Sequence, residues 1–228
     1  DIHWWAMKYL VENDMAKNVV VRYNTNLSRT RSLDGTVDLY DLLPHFKRVN
    51  LCASIDATGE TVEFVRHGIK WDEWLDNFKR GLFLKEQYGN DAIVFDVTLT
   101  LPGMVDLPNL MLQAHELGVK SYVKLTFDFD ASAVMSPMAI PHRILDPLIH
   151  KALDTAKQIG APANPYAELL REMLNRPTFD EKYPDCKEKL RGFKKFFIQS
   201  CDFRNNYSEW INIISVNPEL LEWWNSVE

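Results

Sequence analysis

Four stretches of the chain alternate apolar and polar residues with a period of two, and longer amphipathic runs separate them. The first, residues 18–26, sets Val19, Val21 and Tyr23 against Arg22, Asn24 and Asn26. The second opens the stretch VNLCASIDATGETVEFVRHGIK at residues 49–70. It places Leu51, Ala53 and Ile55 on one face and Asn50, Cys52, Ser54 and Asp56 on the other. The third, residues 92–100, opposes Phe95, Val97 and Leu99 to Asp96, Thr98 and Thr100. The fourth, residues 120–128, opposes Val123, Leu125 and Phe127 to Tyr122, Lys124, Thr126 and Asp128.

The runs between these strands read as helices. A first helix carries Trp4, Met7, Leu10, Val11 and Met15, and a short one is predicted at Tyr40–Lys47 after the loop at 27–37. Behind the second strand, which breaks at Ala57-Thr58-Gly59, one helical run continues to a cap at Gly89. Pro102-Gly103 is expected to break the third strand before a helix that ends at Gly118. Beyond Asp130 the alternation stops. A connector with Pro137 and Pro141 leads to helices near 142–160 and 166–175, a long one at 184–206 with an interruption expected at Gly192, and a short one starting at Pro218.

Strands alternating with helices predict an α/β protein built of βα units, with strands paired in parallel. Strands covered by helices on both faces read as continuous apolar runs. These four keep one polar face each, which fits an open or partial barrel whose inside holds a polar ligand. The predicted division is a barrel portion at residues 1–130 and a helical extension at 131–228.

Composition narrows the function classes. The chain has 228 residues, 46% hydrophobic and 25% charged, with a net charge of −6. That charge gives no general attraction to nucleic acid or an anionic membrane. No apolar run reaches the roughly 20 residues of a membrane helix. Three scattered cysteines, Cys52, Cys186 and Cys201, make no disulfide framework and read as reduced thiols, so a cytoplasmic location is expected. The chain opens inside a helix without an initiating Met, and is expected to be a piece of a longer protein.

Few residues announce a chemistry on their own. The six histidines form no HxH or HExxH pair, and there is no phosphate loop or nucleophile elbow. Asp128-Phe129-Asp130 offers two carboxylates to a cation, yet such pairs more often cap loops. The tryptophans at helical spacing, Trp71, Trp74, Trp210, Trp223 and Trp224, read as core. The basic run at 187–195 reads as a solvated helix face.

Arg22-Tyr23-Asn24-Thr25-Asn26-Leu27, Ser54-Ile55-Asp56-Ala57, and Val65-Arg66-His67-Gly68 with Lys70-Trp71 resemble the middle of radical S-adenosylmethionine proteins with a Twitch-type extension. Ile140-Pro141, Cys201-Asp202-Phe203-Arg204-Asn205 and Asn217-Pro218-Glu219-Leu220 resemble the later part of that subgroup. The resemblance implies a partial (βα)6 TIM-like barrel, of which the chain holds the last four βα units, with a helical, Twitch-like C-terminal extension. It implies that strand ends bind S-adenosylmethionine beside a four-iron, four-sulfur cluster. The implied cofactor contacts are Asn24, Asn26, Ser54, Asp56, Arg66, Thr98 and Thr100, with Arg66 meeting the methionine carboxylate through its planar fork. Lys124 and Asp128 are the candidate substrate contacts.

The family's CxxxCxxC and Gly-Gly-Glu-Pro motifs are not in this sequence, so the chain carries no metal ligands and its parent would supply the cluster. The parent would cleave S-adenosylmethionine reductively, draw electrons from a donor protein, and abstract hydrogen from a substrate, a peptide among the candidates. A different reading is a non-catalytic ligand- or protein-binding module derived from the barrel. A third is a cofactor-independent aldolase or isomerase using Lys124 or Asp128.

Overall fold

The structure, a computed structural model, describes residues 2–125, 129 and 133–227. All four predicted strands form, as β1 (Val20–Thr25), β2 (Arg48–Ser54), β3 (Ile93–Leu99) and β4 (Ser121–Leu125). They pair in parallel in the order β1-β2-β3-β4. Helix α1 (Ile2–Glu12) precedes the sheet and α2 (Leu39–Leu42) joins β1 to β2. Helices α3 (Gly59–Val65), α4 (Trp71–Arg80) and α5 (Leu84–Tyr88) join β2 to β3, and α6 (Leu101–Glu116) joins β3 to β4. The rest is helical: α7 (His142–Ile159), α8 (Asn164–Leu174), α9 (Phe179–Lys182), α10 (Cys186–Arg204), α11 (Tyr207–Ser215) and α12 (Pro218–Ser226).

A parallel order that follows the chain, built with right-handed crossovers, puts every connecting helix on one face of the sheet. The register shows which face. Tyr23, Leu51, Ile93 and, one step on, Ala53, Phe95 and Ser121 lie side by side, followed by Val97–Val123 and Leu99–Leu125. Helix α4 covers this apolar face by packing Trp74 and Phe78 edge-to-face with Phe95, and α8 covers it by donating the Tyr166 hydroxyl to Ser121 Oγ at 2.8 Å. The buried core continues into the later helices, where Trp210 and Trp224 pack with Phe64 of α3 and Phe197 of α10. Of the five tryptophans expected in the core, Trp74, Trp210, Trp223 and Trp224 are buried, and Trp71 is half-buried and stacked on Trp74.

Three expectations need correcting. The helical run to Gly89 is three helices: the chain turns at Gly68 with φ of +90°, a left-handed conformation that suits glycine, and again at Gly81. β3 does end at Leu99, but Pro102-Gly103 is not a separate break: it lies in the first turn of α6, where Pro is tolerated and Thr100 supplies the cap. Gly192 interrupts nothing, since α10 runs through it. Helix α11 was not foreseen. Among the described residues no helix is long and apolar enough to cross a membrane.

His142, at the start of α7, ties its own helix to the segment after α8 and to α9. Its Nδ1 lies 2.7 Å from Asp146, and its Nε2 lies 2.9 Å from the Arg176 carbonyl oxygen and 3.6 Å from Glu181. Burial pulls the imidazole pKa down, but these hydrogen bonds and carboxylates outweigh it and raise it above the ordinary 6.5. A raised histidine contributes stability that is full below the unfolded value and fades as pH rises through the folded one. Thermal unfolding is therefore expected to show a midpoint that falls as pH rises above 6.5, with the fall abolished in His142→Ala; an equal fall in both proteins would assign it elsewhere.

Candidate functional site

The second face of the sheet collects the polar residues of the alternation. Register aligns Asn24 with Cys52, Ser54 with Asp96 and Tyr122, and Thr98 with Lys124. Asn24, Tyr122 and Lys124 are exposed, and Asn50, Ser54, Asp96 and Thr98 are half-buried. A parallel sheet is ordinarily covered on both sides. Here one side presents a band of hydrogen-bonding groups at the carboxyl halves of the strands.

The groups on this band are already engaged with one another. Lys124 Nζ donates to both Asp96 oxygens, at 2.8 and 3.0 Å. The Cys52 thiol donates to Asn50 Oδ1 at 3.2 Å. Burial pushes the Cys52 thiol pKa up, against the pull of the Arg22 guanidinium, and keeps the sulfur protonated.

At the end of β2 the backbone ladder stops and a side chain takes over. Ile55 N–H still donates to the Asp96 carbonyl at 3.1 Å, and the next donor on β3, Thr98 N–H, goes to Asp56 Oδ1 at 3.0 Å. Asp56 is buried, and Arg66 Nη2 also donates to Oδ1 at 3.0 Å. Arg66 Nε lies 2.8 Å from Oδ2, so guanidinium and carboxylate meet at two points. The structure thus brings two of the sequence-predicted contacts, Asp56 and Arg66, onto each other.

The loop that holds Asp56 is fixed from α6. Thr58 N–H and its hydroxyl both donate to Asp106 Oδ2, at 2.5 and 2.8 Å, and Asn109 donates to Oδ1. Burial raises the Asp106 pKa against the lowering effect of those hydrogen bonds. Gly103 in the first turn of α6 packs directly on the loop: a Cβ there would stand 2.5 Å from the Asp56 carbonyl oxygen.

The remaining predicted contacts divide. Asn24, Ser54 and Thr98 lie on the polar face. Asn26 is past β1 and accepts from Ser28 N–H and Oγ, so its side chain serves a local turn. Thr100 Oγ1 accepts from Gly103 N–H at 3.1 Å and serves as the N-cap of α6. Asp128, with Thr126 and Asp130, lies outside the described residues. Asp96 and Cys52 belong to the site by the same alternation that selected Ser54 and Thr98. Asp106 sits in the middle of an amphipathic helix, with no local signal to mark it.

All three cysteines are buried and unpaired. Among the described residues no group of three or more His, Cys, Asp or Glu side chains could hold a metal ion. An iron–sulfur cluster therefore finds no ligand set in these residues. The chain matches no family model, no curated protein and no solved structure.

Proposed function

We propose that the chain is the strand-bearing part of a radical S-adenosylmethionine protein, a partial (βα)6 barrel whose polar sheet face binds the cofactor. The observation that carries this reading is the register-aligned polar face that the helices leave open, ending at the Asp56–Arg66 pair. The part of the Arg66 guanidinium that Asp56 does not hold, on a side chain a quarter exposed, suits an incoming carboxylate such as that of a bound amino acid. The order Asn24-Thr25-Asn26, Ser54-Ile55-Asp56, Arg66 supports the same reading by resemblance. S-adenosylmethionine supplies, when bound in a complete enzyme, the adenosyl group that becomes a hydrogen-abstracting radical. The roles left to this chain are binding and orientation. Arg66 receives the carboxylate while Asp56 holds its guanidinium in plane, and Asn24, Ser54 and Thr98 offer hydrogen bonds along the groove.

Binding is testable without the chemistry. Arg66→Lys keeps a cation for Asp56 but loses the planar fork. In the cluster-loaded parent, calorimetry should find S-adenosylmethionine bound at least about tenfold more weakly by Arg66→Lys, and about 2–5 kcal/mol more weakly by Arg66→Ala. Unchanged affinity in both variants would remove Arg66 from the site.

A second reading, a binding module without a redox centre, is favoured by the missing ligand set among the described residues. The coding sequence upstream of Asp1 separates the two. A CxxxCxxC followed by Gly-Gly-Glu supports the enzyme, and a start codon adjacent to Asp1 supports the module.

A further inference from the structure

The basic run at 187–195 lies on α10, and the fold turns part of it into the wall of a cleft. A cavity of about 400 Å³ opens between the first turns of α10, the approach to α7 and the end of α12. Its apolar lining includes Leu190, Ala139 and Trp223, the last buried to 8% exposure. Cys186 also lines it. Burial, with Asp180 and Asp185 nearby, pushes that thiol up to about 11, so Cys186 is a neutral part of the wall and not a nucleophile.

Three cations border the cavity: Arg143, Lys187 and Arg191. Lys187 and Arg191 are one helical turn apart and share a face of α10. Among the described residues none of the three is in an ion pair, whereas Lys189 on the same helix pairs with Asp185 at 2.9 Å. The lining contains one carboxylate, Asp180, which already accepts from the Thr178 hydroxyl. Three cations against one carboxylate leave an excess of two positive charges, in a chain whose net charge is −6. Local charge opposed to the overall balance, gathered round an apolar hollow, is the arrangement of an anion-binding pocket.

We propose that this cleft binds a small dianion with a flat apolar body, its phosphate or paired carboxylates held by Arg143, Lys187 and Arg191 and its ring laid against Trp223 and Leu190. Guanidinium forks pair with phosphate and carboxylate alike. The cavity volume lies within the roughly 300–1,000 Å³ of small-molecule sites. None of these residues belongs to the polar face of the sheet, so the cleft is independent of the cofactor groove.

The test titrates the intact chain, at low ionic strength, with four probes: phenyl phosphate, phthalate, inorganic phosphate and phenol. At least one of the two aromatic dianions should saturate, and bind about tenfold more tightly than inorganic phosphate or phenol, because only it uses both halves of the pocket. Tighter binding of phenyl phosphate identifies a phosphate ligand, and tighter binding of phthalate a dicarboxylate. Arg143→Ala and Arg191→Ala, both changes of exposed side chains, should each weaken that binding at least about tenfold. Lys17→Ala, a cation outside the cleft, should leave it unchanged. The proposal is overturned if neither aromatic dianion saturates, or if both arginine variants bind as the unaltered chain does.

Discussion

Asp56→Ala is expected to destabilise the protein by about 2–4 kcal/mol, read as a lower urea midpoint. The carboxylate accepts from Arg66 and from the Thr98 amide in a place where only 5% of it is exposed. Removing it leaves a guanidinium and a backbone N–H without their acceptor. Breaking a fully buried pair costs roughly 3–5 kcal/mol, and the figure is reduced here because a quarter of Arg66 remains in contact with water. Asp56→Asn separates the two functions. It keeps an acceptor for Thr98 but gives up the charge opposite Arg66, so about half of the loss should remain. A change below about 0.5 kcal/mol for Asp56→Ala, the range of ordinary surface substitutions, would mean that the pair does not hold the loop.

Gly103→Ala is the second large effect, and its sign is the informative part. At an ordinary exposed helix position, replacing Gly with Ala stabilises by about 1 kcal/mol. At Gly103 the added methyl would meet the Asp56 carbonyl oxygen at 2.5 Å and Thr100 Oγ1 at 3.0 Å. Neither can withdraw freely, since one is backbone and the other caps α6. Overpacking of this kind costs about 1–3 kcal/mol, so a net loss of about 1–2 kcal/mol is expected. Because Gly103 presses on the residue that Arg66 holds, Asp56→Ala and Gly103→Ala should be non-additive in a double-mutant cycle. A stabilising Gly103→Ala would show that α6 does not rest on this loop.

Period-two alternation made the four strands legible, because successive side chains of a strand must point to opposite faces. The same alternation selected Asn24, Ser54 and Thr98 for the polar face. It failed where a residue's role depends on what lies next to it in space. Thr100 looked like the next polar position of β3, but a threonine just before a helix finds the helix N–H groups first. Asn26 was diverted in the same way, into its own turn. The pairing of Arg66 with Asp56 was not legible either: a guanidinium ten residues from a carboxylate is an ordinary sequence, and only the loop after β2 and the two-turn helix α3 between them bring the two together. Asp106 is the extreme case, 48 positions from the Thr58 it fixes.

The breaks at Gly68 and Gly81 were readable in principle. Amphipathic periodicity continued across both, and the apolar pattern concealed the change of helix direction. In the tail the core aromatics were legible by spacing, whereas the cleft was not. Its cations come from α7 and α10 and its floor from α12, and no single stretch contains the pattern.

The measurement that tests the account most directly is a titration of the isotopically labelled chain with S-adenosylmethionine, followed by backbone amide shifts. Saturable shifts confined to residues 24–26, 54–58, 66 and 96–100 are predicted, with the Arg66 side-chain signals moving as the carboxylate arrives. Absent shifts, or shifts gathered at Arg143 and Arg191 in place of the strand ends, would contradict the assignment of the polar sheet face as the cofactor groove.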